Sequence, residues 1–174
     1  MIAIISGTNR QNSNSLKIAK LYQSVLAQRQ IEANIIDLAT LPQDFVFSAL
    51  YEHNGKHETF NLFRKQIADA KKLIFIVPEY NSSYPGVLKA FIDGLPYPDA
   101  FIGKKAALVG LSAGPLGNAW GLSHLTDIFH YLNMEVLATK VRLASIRTHM
   151  AEDKLTNATY HDLIAKQIDK FLQF

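Results

Sequence analysis

Cysteine is absent from the 174 residues, which excludes disulfides, thiolate zinc sites, iron–sulfur clusters and cysteine nucleophiles, and leaves six histidines as the only strong transition-metal ligands. An excess of one charge is also missing. The 18 basic and 15 acidic residues give a formal charge of +3 and a pI of about 9.0, which favours anionic small molecules slightly. No Lys or Arg run is interleaved with aromatic residues, so no nucleic-acid partner is expected. Long apolar runs are lacking as well: Met1 to Ile5 ends at Ser6 and Leu73 to Val77 ends at Pro78, against the roughly 20 residues that a membrane helix needs. No membrane partner is expected. The first residues lack a basic n-region and a cleavage site and read as a strand, so a cytoplasmic location is expected.

What is present is enough apolar sequence, 48% of residues against 19% charged, for one compact domain over residues 1–174. Short β-branched runs alternate with longer stretches of helical periodicity, the pattern of a parallel sheet covered on both faces. Strands are expected at Ile2 to Ser6, Ala33 to Asp37, Lys72 to Val77, Ala106 to Ser112 and Glu135 to Thr139. Helices are expected at Ser13 to Arg29, Thr59 to Ala70, Gly86 to Gly94, Asn118 to Leu132 and Thr156 to Phe171. Right-handed crossovers then favour an α/β three-layer sandwich, a doubly wound five-stranded sheet of flavodoxin-like order 2-1-3-4-5. In such a sheet ligands bind beyond the carboxyl ends of the strands near the switch point, which directs attention to the loops after strands one, three and four.

The loop after strand one, Ser6-Gly7-Thr8-Asn9-Arg10-Gln11-Asn12-Ser13-Asn14-Ser15, is made mostly of hydroxyl and amide side chains and leads into a helix. Free N–H groups and partial positive charge at a helix start favour a phosphate, and Arg10 adds a planar cation. Neither the Walker spacing nor Gly-x-Gly-x-x-Gly is present. The plainer reading is one Ser or Asn N-cap. After strand three, Pro78-Glu79-Tyr80-Asn81-Ser82-Ser83-Tyr84-Pro85-Gly86 surrounds aromatic rings with amide and hydroxyl donors, which suits a flat heteroaromatic ligand; Tyr80 and Tyr84 could equally be anchors packed on the core. After strand four, Gly114, Gly117 and Gly121 allow close backbone approach to a ligand. The same stretch holds Gly110-Leu111-Ser112-Ala113-Gly114, a match to the Gly-x-Ser-x-Gly nucleophile elbow, with Asp127 and His149 or His161 as partners for a serine hydrolase. Against it, Gly114-Pro115-Leu116-Gly117 delays the helix that an elbow should enter directly. His53 and His57 stand four apart but straddle Gly55, so no metal site is expected there.

Taken together, the three loops resemble the NADPH-dependent FMN reductase family, the flavodoxin-like group that also contains quinone, azo and chromate reductases. Pro78 to Lys89 follows the family's Pro-Glu-Tyr-Asn-x-Ser-x-Pro-Gly-x-Leu-Lys signature, and Gly7 to Ser15 matches its phosphate loop. The resemblance implies FMN, with Thr8, Arg10, Ser13, Asn14 and Ser15 at its phosphate, Pro78, Glu79, Tyr80, Asn81 and Ser82 along one edge of the ring, and Ser112, Ala113, Gly114 and Gly117 at the pyrimidine side. It implies NADPH or NADH as co-substrate, hydride transfer to the flavin, and delivery of two electrons to a small-molecule acceptor such as a flavin, quinone or xenobiotic. No side-chain acid or base is required, because the flavin carries the chemistry. A homodimer or homotetramer is expected on the same ground. A one-electron carrier like flavodoxin is the alternative, disfavoured by the basic pI of about 9.0. Asn118 and Trp120 stand where the family commonly has Gly and a basic residue, and Gly94 where it usually has Trp.

Overall fold

The computed structural model describes all residues from Met1 to Phe174. Along the chain the elements are β1 (Ile2–Ser6), α1 (Asn14–Gln28), β2 (Ala33–Asp37), a short α2 (Phe45–Ser48), α3 (Glu58–Asp69), β3 (Lys72–Pro78) and α4 (Gly86–Asp93). They continue with β4 (Lys105–Leu111), α5 (Ala119–Tyr131), β5 (Glu135–Val136), β6 (Val141–Leu143), β7 (Met150–Ala151), β8 (Lys154–Leu155) and α6 (Ala158–Gln173). The parallel order β2-β1-β3-β4-β5 is the expected one.

Alternation along the central strands divides the core into two halves, as period-two side-chain direction requires. Leu73, Phe75 and Val77 of β3 face Phe60, Phe91, Leu125 and Phe129 from α3, α4 and α5, while Ile74 and Ile76 face Ile18, Tyr22, Ile164 and Phe171 from α1 and α6. Side-chain caps set three helix starts: Ser13 Oγ accepts from Leu16 N, His57 Nδ1 from Phe60 N, and Asn157 Oδ1 from Tyr160 N. The His57 ring therefore serves α3. Between β2 and α3, where the sequence shows only irregular chain, Phe45 stacks on Phe60 with centroids 5.6 Å apart and fastens the segment to the core.

The expected fifth strand, Glu135 to Thr139, is broken. β5 pairs with β4 only at Lys105 and Ala106, and β6 resumes the pairing at Val109 to Leu111. The buried Gln167 of α6 fills the gap: its amide donates to Leu108 O (3.0 Å) and Thr139 O (2.8 Å), and its carbonyl accepts from Tyr22 O–H at 2.7 Å. One amide thus supplies the hydrogen bonds that the interrupted ladder omits. Burial pushes the Tyr22 phenol well above its ordinary value of 10.0, so this O–H remains a donor. The β7–β8 hairpin, unannounced by any periodicity, turns through Glu152 and Asp153 at positive φ and is tied to α1 by Lys17–Asp153 at 2.8 Å. No helix is long and apolar enough to cross a membrane.

Candidate functional site

The chain leaves β1 toward β2 and then crosses to β3 on the other side, so the loops after β1 and β3 diverge at a switch point. They are cross-linked there. Thr8 is buried, its hydroxyl lies 2.8 Å from the Tyr80 phenol oxygen, and it accepts the N–H of Arg10 at 3.3 Å. Gln11 extends the loop outward by donating to Ala39 O at 3.2 Å. Ser13 is the N-cap of α1, as the plainer reading held; its oxygen is used as an acceptor, which leaves its own O–H free to donate. Ser15 is 1% exposed, and its hydroxyl is buried without a partner. The first-turn N–H groups of α1 have no intrahelical acceptors.

Beyond β3 the ladder runs on, with Glu79 N–H donating to Leu111 O at 2.8 Å. Tyr80 and Ser83 then exchange backbone hydrogen bonds of 2.9 and 3.0 Å around Asn81 and Ser82, both at positive φ, which makes a type I′ turn. Asn81 and Ser82 sit at its exposed tip. Glu79 accepts from Asn118 N–H at 3.1 Å, and the Asn118 amide donates to Val77 O and Pro78 O, each at 3.1 Å. Asn118 is 1% exposed, and its left-handed backbone (φ 60) opens α5; the residue that departs from the family pattern is the clamp joining the loops after β3 and β4. At Gly94, a Cβ would lie 2.6 Å from the Phe60 ring, so here Phe60 takes the space that a larger residue at this position would need.

The loop after β4 is held by Ser112, whose hydroxyl donates to Gly114 O at 2.7 Å and accepts from Gly117 N–H at 2.9 Å. Gly117 has φ 58, and a Cβ there would meet the Arg142 Cβ at 2.8 Å, which only glycine avoids. The elbow motif is thus a self-bonded loop with no histidine on the serine. His161 pairs with Leu155 O at 2.8 Å, and His149 stacks edge-on against Tyr160. The segment after β6 supports this loop from beneath: Ser145 N–H donates to Gly114 O (2.8 Å) and Ile146 N–H to Ser112 O (2.9 Å).

These three loops enclose a cleft of about 280 Å³. Thr8, Arg10, Ser13, Asn14 and Ser15 form one wall, and Pro78, Glu79, Tyr80, Ser112 and Ala113 face them. Asn81 and Ser82 lie outside its lining, as do Gly114 and Gly117, which shape the loop from behind. Residues that the motifs did not single out for the site also line it: Gln11 and Asn12 from the first loop, Leu111 from the end of β4, and Ile146 and Arg147 from the segment after β6. Glu79 is the only carboxylate in the lining, and it is engaged by Asn118 N–H. The guanidinium groups of Arg10 and Arg147 make no hydrogen bond or ion pair within the chain. The cleft is therefore a positively charged recess at a helix N-terminus, with hydroxyl donors at one end and a tyrosine-bearing turn at the other.

A family model described as NADPH-dependent FMN reductase matches residues 1–148. The chain is 34% identical over 139 residues to a 2-hydroxy-1,4-benzoquinone reductase of a Burkholderia species, covering 78% of this chain and 73% of that one. It is 32% identical over 173 residues to an NAD(P)H-dependent FMN reductase of Pseudomonas aeruginosa, covering 94% and 89% respectively. Among solved structures, the flavoenzyme NAD(P)H:(acceptor) oxidoreductase of Paracoccus denitrificans shares the fold with a TM-score of 0.80 at 24% identity, over 99% of this chain and 94% of that one. Because the matched span takes in every loop of the cleft, sequence and geometry meet at one place, and the chain belongs to the NADPH-dependent FMN reductase family, oxidoreductases that pair FMN with NAD(P)H.

Proposed function

We propose that the cleft seats FMN and that the protein passes reducing equivalents from NAD(P)H to a small-molecule acceptor of the quinone class. The observation that carries this is the start of α1, where a buried Ser15 hydroxyl without a partner, the Ser13 O–H, free backbone N–H groups and an unpaired Arg10 converge on one wall. A buried hydroxyl left unpaired costs about 1–3 kcal/mol, which a phosphate oxygen accepting from it would offset. The donor set fits a phosphomonoester, which offers three acceptor oxygens and up to two negative charges.

In this reading Thr8, Arg10, Ser13, Asn14 and Ser15 hold the phosphate, while Pro78, Glu79, Tyr80, Ser112 and Ala113 border the ring. When bound, FMN supplies the hydride-accepting and two-electron-donating chemistry. The chain's residues position and polarise. The Thr8–Tyr80 contact fixes the distance between the phosphate wall and the ring wall. Asn118 locks the loops after β3 and β4 together, so the two sides of the ring site move as one body. Glu79 and Tyr80 are both bonded within the protein and are not poised as acid or base, in keeping with chemistry carried by the cofactor. Quinone as acceptor is supported by the relative that reduces 2-hydroxy-1,4-benzoquinone. Self-association into a homodimer or homotetramer belongs to the same reading, supported by exposed Tyr97 and Tyr131 beside an apolar hollow of about 570 Å³.

The test is direct. Purified protein is expected to be yellow, to quench FMN fluorescence on titration, and to oxidise NADPH when given a benzoquinone. Colourless protein that leaves FMN fluorescence unchanged would overturn the reading.

A further inference from the structure

We propose that Arg147, on the turn after β6, is a second phosphate-recognising cation of the cleft, acting across it from Arg10 on a phosphomonoester. The inference rests on the reading of the cleft given above and adds a residue from a part of the chain remote from the phosphate loop.

Three observations carry it. The first is placement: Arg147 lines the same cleft as Arg10, Ser13 and Ser15, but on the segment that supports the loop after β4. The second is rigidity. Ala144 O accepts from the Tyr160 phenol at 2.9 Å, Ser145 N–H and Ile146 N–H bond to Gly114 O and Ser112 O, and Thr148 N–H closes the turn on Ser145 O at 3.0 Å. Ile146, next in the chain, is buried in the core half that α1 and α6 share. The Arg147 backbone is therefore fixed beside the start of α1, and only its side chain must be ordered on binding.

The third is charge. Arg10, Arg147 and the positive end of α1 line one recess with a single carboxylate, Glu79, which is held by the Asn118 N–H, so positive charge is in excess. The nearest basic neighbour on α1, Lys17, is already paired with Asp153. That excess of positive charge favours an anion entering the recess. A carboxylate brings one charge, whereas a phosphomonoester brings nearly two and enough oxygens for both planar forks and the Ser13 and Ser15 hydroxyls.

Two ligands of the family chemistry carry such a group, the 5′-phosphate of FMN and the 2′-phosphate of NADPH. Arg147→Ala, Arg147→Lys and wild type should be titrated with FMN and with riboflavin by fluorescence quenching, and assayed for KM with NADPH and with NADH. The side chain is exposed, and circular dichroism and thermal melting should show that each variant is folded. The expected result is a phosphate-selective loss of about tenfold in Arg147→Ala, with partial recovery in Arg147→Lys, since lysine restores the charge without the fork. Loss toward FMN with riboflavin affinity unchanged assigns the residue to the flavin phosphate. An increased KM for NADPH with NADH and FMN unchanged assigns it to the dinucleotide. Equal losses for FMN and riboflavin, or no change in any of the four measurements, overturn the proposal while wild type still binds FMN. If wild type itself fails to bind FMN, the reading of the cleft falls, and this proposal falls with it.

Discussion

At the amino ends of β3 and β4, Lys72 donates to Phe171 O (2.7 Å) and Leu172 O (3.0 Å), and Lys104 donates to the carbonyls of Ile67, Ala68 and Ala70. Lys105 likewise reaches Phe174 O. These ammonium groups close the last turns of α6 and α3, where carbonyls lack intrahelical partners and the helix dipole favours a cation. At the carboxyl ends of the same sheet the arrangement is reversed. Arg10 and Arg147 stand beside the positive start of α1 and have no carbonyl or carboxylate of their own. Basic residues at one end of the sheet are held by the chain's own carbonyls, and at the other they line a cleft without a partner in the chain and leave it with an excess of positive charge. Net charge, at +3, conceals this difference.

Removing a cation from each end should give opposite phenotypes. Arg10→Ala is expected to raise the FMN dissociation constant about ten- to a hundredfold, the loss of a charge-assisted contact, and to leave the melting temperature unchanged. Titration of FMN fluorescence beside a thermal melt checks both halves. Lys104→Met keeps the aliphatic stem but leaves the α3 carbonyls without their donor, so urea unfolding should show a loss of about 1–2 kcal/mol with FMN affinity intact. The loss stays modest because burial lowers the Lys104 pKa, with the Asp69 charge opposing, so part of the gain is offset by desolvation. A Lys104 variant that lost FMN, or an Arg10 variant that lost stability, would break the comparison.

The fold was legible because the strands of a doubly wound sheet are short continuous apolar runs, and β1, β2 and β3 lie where those runs predict. An unbroken fifth strand over Glu135 to Thr139 is what the sequence predicts, and the structure interrupts it. Its interruption depends on Gln167, far along the chain, whose amide can replace ladder bonds only once α6 is docked. The cleft was legible in its local parts, since the loop after β1 announces a helix start and the turn after β3 carries a signature. Asn81 and Ser82 bear that signature yet occupy the tip of a type I′ turn, because residues that tolerate positive φ suit a turn as well as a ligand. Arg147 carried no local signal: the pairing of β6 with β4 brings it to the site, and no motif spans that distance. Asn118 departs from the family pattern, whereas the structure gives it three hydrogen bonds, one to Glu79 in the loop after β3 and two to the end of β3 itself.

The smallest effect sharpens the comparison within a single helix. Arg29, at the far end of α1 from Arg10, donates to Val25 O at 3.1 Å and to Asp169 at 2.7 Å, so here too the C-terminal end has its cation held within the chain. The Arg29 hydrogen bond, aided by its charge and opposed by burial, holds the Asp169 carboxyl below its ordinary 3.8. A depressed carboxylate stabilises the fold fully above its unfolded value, and that contribution disappears as pH falls through the lower folded value. Asp169→Asn should therefore be slightly less stable than wild type at neutral pH, and the gap should close below the ordinary 3.8 and also at high salt, because the pair is exposed. Urea unfolding at neutral pH, at neutral pH with added salt, and in acid measures it. A gap that persists in acid would trace to altered packing rather than charge. Unchanged FMN affinity in the same variant would leave the start of α1 as the end of that helix whose field is open to a ligand.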